Sequence, residues 1–136
     1  MIKLEFHCHT HASKDSLTFP ADLIAAARGK GIDRVVITDH NSIAGAREAQ
    51  AIDPELIIIG EEIMTTRGEI LAAFVQEEIP AYLTPQETIR RLRDQGAVIS
   101  IPHPLDSVRR SAMGRDAVLE IIDAARKQPQ DEYLRY

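Results

Sequence analysis

The sequence predicts a single α/β domain, residues 1–136, in which helices cover a parallel sheet. Short apolar runs alternate with amphipathic segments that carry helix start and stop signals. Most apolar runs are nearly continuous, which is typical of strands buried on both faces of a parallel sheet. The length of 136 residues is enough for one domain with a hydrophobic core. The pattern alone does not distinguish an open doubly wound sheet from a barrel.

The first half of the chain consists of two strand–helix units and a third strand. Residues 2–6 alternate apolar and polar side chains, as a half-buried strand does. A helix follows at residues 18–30, where Thr18 is the expected cap and Pro20 suits the first turn. The other elements of this half are a strand at residues 34–38, a helix at residues 43–51 and a strand at residues 56–59.

The second half of the chain contains the clearest helix signals. Thr84 is placed to cap a helix at residues 84–95, Glu87 to complete a capping box, and Gly96 to end the helix. The other elements of this half are strands at residues 69–75 and 97–101 and a helix at residues 115–127.

Composition limits the classes of function. The net charge of −5 gives no overall attraction to nucleic acid, and aromatic residues at 4% without tryptophan argue against base-stacking surfaces. Nucleic-acid binding is therefore not expected, although short oligonucleotides stay open as substrates. The one cysteine, Cys8, cannot form an internal disulfide, which fits a reducing cytoplasm. We expect a cytoplasmic protein without signal peptide or membrane span, because no sufficiently long apolar run occurs.

Polar groups that can bind metal follow four of the predicted strands. The carboxyl ends of strands in α/β folds share one face, which carries the active site, so we expect these groups to converge. Imidazole and carboxylate together suit zinc, manganese or iron better than calcium. Asp15 could reach the same place from the first loop. The four groups are His7-Cys8-His9, Asp39-His40-Asn41, Gly60-Glu61-Glu62 and Pro102-His103-Pro104.

The spacing within these groups assigns roles. Residues i and i+2 of an extended segment point the same way, so His7 and His9 can hold one ion while Cys8 points into the core. Glu62 is the best candidate to bridge two metals. Glu61 then faces the opposite side as a surface or salt-bridged residue. Asp39 is the candidate to orient a ligating imidazole or to act in catalysis.

The stretches HCHTHASKDSLT, ITDHNSI, GEEI and IPHP, in this order, resemble the PHP (polymerase and histidinol phosphatase) domain of metal-dependent phosphoesterases. The resemblance runs from residue 7 to about residue 110. It implies a distorted (β/α)7 barrel with two or three divalent ions, zinc, manganese or iron with magnesium also compatible. It implies hydrolysis of a phosphomonoester or phosphodiester, in a small phosphorylated metabolite or nucleotide, by a metal-activated water. Carried over by motif, the metal ligands are His7, His9, Asp15, His40, Glu62 and His103.

Arginines and a further histidine lie near these motifs. Arg109 and Arg110, after the HPLD turn, are candidates to bind phosphate oxygens, with a solvated basic turn as the equal alternative. Arg67 and Lys14 are weaker candidates of the same kind. His11 is favoured as a loop residue over a general acid.

Two departures from the PHP pattern give the alternatives. A histidine common near the GEI stretch is absent, and Glu69 is either its substitute or structural. The final GSDAH-like motif is also absent, so with about five strands we expect a barrel that is incomplete at the C-terminus, with a partner subunit as one way to complete the site. The alternatives are a degenerate, non-catalytic metal-binding or scaffold module and a metal-free α/β sensing domain.

Overall fold

The computed structural model describes residues 1–126 and contains the nine expected elements in the expected order. Lys127, the last residue of the final predicted helix, lies outside the described residues. Among residues 1–126, no helix has the length and apolar character needed to cross a bilayer. The elements are β1 Leu4–Cys8, α1 Pro20–Gly29, β2 Arg34–Ile37, α2 Ala44–Ile52, β3 Ile57–Thr65, β4 Gly68–Ala73, α3 Pro85–Asp94, β5 Val98–Ser100 and α4 Arg115–Arg126.

The five strands form one sheet in the order β1-β2-β3-β4-β5. β1, β2 and β3 are parallel, but β4 is antiparallel to both β3 and β5, so the expectation of a parallel sheet is wrong at β4. The reason is a tight hairpin, in which the Thr65 hydroxyl donates to the Gly68 carbonyl at 2.6 Å. Because β4 alone is reversed, β1, β2, β3 and β5 still run in one direction. A five-stranded sheet is compatible with part of a PHP barrel; the seven-unit barrel stays a prediction.

Two hydrophobic clusters hold the helices against the sheet. Ile37 and Leu56 are fully buried in the cluster beneath α1 and α2. Ile63, Ile70 and Leu92 are equally buried in the cluster that joins β3, β4 and α3. Each such side chain contributes roughly 1.5–3 kcal/mol by leaving water, so the sheet is a rigid support for the groups at its edge.

The predicted Thr84 cap of α3 is confirmed, but the Glu87 capping box and the Thr18 cap of α1 are wrong. Thr84 caps α3 by accepting a hydrogen bond from the Glu87 N–H at 3.2 Å. The Glu87 carboxylate pairs with Arg90 and Arg91 instead of closing the capping box. At α1 the N-cap position is Phe19 and has no side-chain cap, because the helix begins two residues later than predicted.

Candidate metal centre

Glu62 is the centre of the candidate site. It lies within β3 and not after a strand as predicted, because antiparallel pairing with β4 extends β3 to Thr65. The parallel pairing with β2 ends before this point, and the Glu62 N–H donates to the Asp39 carbonyl while its carbonyl accepts from the Asn41 N–H. The Glu62 side chain is 1% exposed. The β3 backbone therefore fixes this carboxylate where the loop after β2 crosses it.

Four imidazoles surround the Glu62 carboxylate. They come from three separate segments of the chain: β1 and the loop after it, the loop after β2, and the loop after β5. His103 has a φ of 29°, a strained value for a residue with a side chain. The distances to Glu62 Oε2 are 3.1 Å from His7 Nε2, 3.3 Å from His9 Nε2 and 3.4 Å from His40 Nδ1, and His103 Nε2 lies 3.7 Å from Oε1.

Two more carboxylates contact His40. Asp15 Oδ2 lies 3.2 Å from His40 Nε2, and Glu69 Oε1 lies 3.4 Å from His40 Nδ1. Glu69 is buried on β4, opposite Met64 of β3. The structure thus brings together the six residues carried over by motif and adds Glu69. The sequence signal for Glu69 is its position directly after the β3–β4 turn, close to the end of β3. Sequence alone left Glu69 open between a metal ligand and a structural residue.

The residues present fit a divalent cation. Among residues 1–126, three sets of donor atoms lie within 4.8 Å of one another: His7, His9 and Glu62; His9, Asp15 and His40; and His40, Glu62 and Glu69. Buried polar atoms without a hydrogen-bond partner occur at the same place, on Glu62 Oε1, Glu69 Oε2 and both ring nitrogens of His103. Such atoms are costly to bury unpaired, and a cation would satisfy them. Nitrogen and carboxylate donors suit zinc, manganese or iron.

The electrostatics of the cluster favour an ionised Glu62. Burial opposes its ionisation, but the hydrogen bond with His7 and the charges of His7, His40 and His9 hold its pKa below the usual value. The pKa of His7 is raised, chiefly by its hydrogen bond with Glu62 and against the effect of burial. The pKa of His9 is lowered, because burial disfavours its charged form. Glu62 is therefore available as an anionic ligand near neutral pH.

Comparison with known proteins identifies the family. The PHP domain matches residues 5–128. This chain belongs to the PHP domain family.

Three relatives bear on the PHP assignment. An uncharacterized protein of Methanocaldococcus jannaschii is 38% identical over 120 residues, which cover 79% of this chain and 70% of that protein. A second uncharacterized protein of the same organism is 36% identical over 135 residues, 99% of this chain and 49% of that protein. A protein of Haemophilus influenzae named 5'-3' exoribonuclease is 29% identical over 127 residues, 82% of this chain and 46% of that protein. This PHP chain thus spans about half the length of two of these relatives.

Asp39 lies beneath the candidate PHP site and not at its surface. It is fully buried and accepts hydrogen bonds from the Thr10 N–H at 2.6 Å, the Thr10 hydroxyl at 2.6 Å and the Ser13 hydroxyl at 2.7 Å. These hydrogen bonds hold Asp39 against the loop after β1. The expected contact with the ring of His40, its neighbour in sequence, is not among the hydrogen bonds of the described residues. Asp39 thus positions this loop, and a role for it in catalysis stays a prediction.

Glu61 and Cys8 face away from the PHP site. Glu61 is fully buried, so the expectation of a surface or salt-bridged residue is wrong. Its Oε2 accepts the Ile79 N–H at 3.0 Å, and burial raises its pKa to about 8. The Cys8 thiol donates to the Val36 carbonyl at 3.4 Å, and burial raises its pKa to about 12, as suits an inert core residue.

The remaining candidate residues differ in whether they interact with the PHP site. Arg109 is half-exposed, pairs with Asp106 at 3.8 Å, and its charge is near enough to His7 to oppose protonation of that ring. Within residues 1–126, no hydrogen bond or ion pair joins Arg110 to the cluster. Arg67 pairs with Glu120 of α4. His11 stacks on Phe19 and lies 3.8 Å from Glu48, and Lys14 is exposed.

Proposed function

We propose that this chain is a metal-dependent phosphoesterase domain. The observation that supports the proposal is the convergence of four imidazoles on one buried carboxylate, with Asp15 and Glu69 beside His40. Purely structural burial of so many titratable groups would be costly, since their unpaired atoms gain nothing from the fold. Membership of the PHP family supports the proposed reaction class, hydrolysis of a phosphomonoester or phosphodiester bond.

The chain's own residues divide into holders and supports. Two or three ions of zinc, manganese or iron would be held by the imidazoles and carboxylates of the cluster, which are His7, His9, Asp15, His40, Glu62, Glu69 and His103. Bound there, such ions would neutralise phosphate charge and lower the pKa of a water molecule, so that hydroxide is available near neutral pH. Glu62 has both oxygens among imidazoles, which suits it to join two ion positions. Asp39 and the sheet keep these side chains in place.

Arg109 would bind the phosphate of the substrate. Its guanidinium is exposed, lies on the loop that also holds His103, and exerts its charge on His7. Release from Asp106 would free it for a bidentate contact with two phosphate oxygens, which also stabilises charge in the transition state. Arg110 is exposed on the same loop and is the second candidate.

The substrate class is a small phosphate ester or a nucleotide, including the end of a short oligonucleotide. The Haemophilus influenzae relative is named for action on RNA ends, which supports the nucleotide branch. The net charge of −5 and the few aromatic residues favour a small substrate over a long nucleic acid.

Hydrolysis of chromogenic phosphomonoesters and phosphodiesters, with and without a chelator, tests the proposal. We expect activity that chelation removes and zinc or manganese restores. His40→Ala should lower activity about 100-fold or more and reduce the metal bound per chain, because His40 contacts three carboxylates of the cluster. His11→Ala is the matched control and should keep wild-type values. Bound metal without hydrolysis of any ester would favour the non-catalytic module instead, and full activity in His40→Ala would contradict the site.

A further inference from the structure

Two loops of the site meet at the Ser13 hydroxyl. Ser13 is 3% exposed, and its oxygen has three polar neighbours. It lies 2.7 Å from Asp39 Oδ1, 2.9 Å from the backbone nitrogen of His40, and 3.2 Å from Nδ1 of His9. One small side chain therefore contacts the ring of one candidate ligand and the backbone of another.

Counting hydrogens fixes the direction of each bond. A serine hydroxyl has one hydrogen and two lone pairs. Asp39 already accepts from the N–H and hydroxyl of Thr10, so as a carboxylate it can only accept from Ser13 as well. The His40 backbone N–H can only donate. The Ser13 hydroxyl thus donates its hydrogen to Asp39 and accepts the His40 N–H with one lone pair. Its second lone pair is left to face His9 Nδ1.

We infer that Ser13 is a positioning residue that holds neutral His9 in the tautomer with hydrogen on Nδ1. The other ring nitrogen, Nε2, then carries a free lone pair, and it is this atom that faces Glu62 Oε2 at 3.3 Å. Buried Asp39 acts on His9 through the hydroxyl, since the carboxylate orients the hydroxyl and the hydroxyl orients the ring. A hydrogen bond from the second nitrogen of a ligating imidazole fixes its tautomer and ring orientation and raises the basicity of the nitrogen that binds the metal. The consequence for metal binding rests on the proposed function; the tautomer does not.

Long-range ¹H–¹⁵N correlation spectra of the histidine rings test the inference. They are recorded at pH 8 on labelled protein freed of metal by a chelator, and again after saturation with Zn²⁺. We expect hydrogen on Nδ1 of His9 in the wild type under both conditions. In Ser13→Ala the metal-free ring should populate both tautomers, and competition with a chelator should show zinc affinity about 10- to 100-fold weaker.

Thr10→Val is the matched control. It removes another hydroxyl from Asp39 but leaves the Ser13 contact with His9. A merely structural role for the network predicts the same spectra for both variants, whereas the inference predicts a changed His9 in Ser13→Ala alone. Hydrogen on Nε2 of His9 in the wild type, which needs no variant to observe, would overturn it. A wild-type protein that carries hydrogen on Nδ1 of His9 but hydrolyses no ester would count against the proposed function only.

Discussion

At the scale of single residues, the site depends on a buried polar network with no spare volume. Helix α2 packs against it at Gly45, where a Cβ atom would lie 2.1 Å from the Thr10 hydroxyl oxygen and 2.4 Å from Asp39 Oδ2. Those distances are far below contact, so only glycine allows α2 to approach this closely. The Asp39 carboxylate, which orients the loop after β1, is therefore also in close contact with α2 at Gly45.

Gly45→Ala should disturb the contact of α2 with Asp39 and Thr10. The added methyl group must displace Asp39 and Thr10 or lift α2, and we expect a loss of unfolding free energy of about 1–3 kcal/mol, measured by urea denaturation. Gly29→Ala, in α1, is the control because nothing lies within 4 Å of its Cβ. That variant should be neutral or slightly more stable, since alanine favours helix. Equal effects of the two substitutions would mean that the close approach at Gly45 is unimportant.

The residues of the site were predictable from sequence to the extent that they follow strands. His7, His9, His40 and His103 occupy the ends of strands that run in one direction, and this regularity placed them together. The burial of Glu61 was not predictable, because alternation gives the side of the strand but not what covers that side. Here the segment around Ile79 covers it, and that contact joins residues 18 positions apart.

At the scale of elements, β3 is the strand on which core and site meet. Neighbouring residues of a strand face opposite sides, so Glu62 faces the histidines while Glu61 faces the interior. Both carboxylates are buried, but only Glu62 of the two has imidazole neighbours. Glu61 is left with one backbone donor and the negative charge of Glu78, so the fold favours its neutral form.

The neutral form of Glu61 should make stability depend on pH. Its pKa is about 8 in the folded protein and 4.5 in the reference state, so between these values the folded protein keeps a proton that the unfolded chain loses. The contribution is complete below pH 4.5 and is lost as pH rises through about 8. As pH rises from 4.5 to 9, the unfolding free energy of Glu61→Gln should therefore increase relative to that of wild type by on the order of 5 kcal/mol.

Urea unfolding at a series of pH values measures this difference. Gln keeps an oxygen to accept the Ile79 N–H and cannot ionise, which makes the comparison specific to the charge. Glu55→Gln, on the exposed turn before β3, should follow the wild-type curve. Parallel curves for wild type and Glu61→Gln would mean that Glu61 is ionised in the folded protein.

The order of elements was predictable, but the direction of β4 was not. Residues 69–75 form an apolar run like those of the parallel strands, and apolar pattern carries no information on strand direction. The deciding feature is the short Thr65–Gly68 turn, which leaves no room for a crossover helix. Gly68 has a φ of 116°, and a Cβ there would lie 2.6 Å from Met113 Cα, so the turn also packs against the loop before α4.

At the scale of the whole molecule, the candidate site joins segments that the core joins only indirectly. Its donors extend from residue 7 to residue 103 and come from β1, β3, β4 and the loops after β1, β2 and β5. The hydrophobic core divides into two clusters, one under α1 and α2 and one around β4 and α3. A cation bound at Glu62 would contact donors on the strands and loops of both clusters. Metal binding and folding stability should therefore be coupled.

This coupling predicts that zinc raises the melting temperature. Ligand that binds only the folded state at about 100 times its Kd adds about 2.7 kcal/mol, or roughly 5 to 10 °C for a domain of this size. Glu62→Gln should abolish the increase, because the amide keeps the shape of the carboxylate but not the charge that faces three imidazoles. His11→Ala should retain it. Calorimetry with and without zinc measures the effect, and an equal increase in Glu62→Gln would place the bound ion elsewhere on the chain.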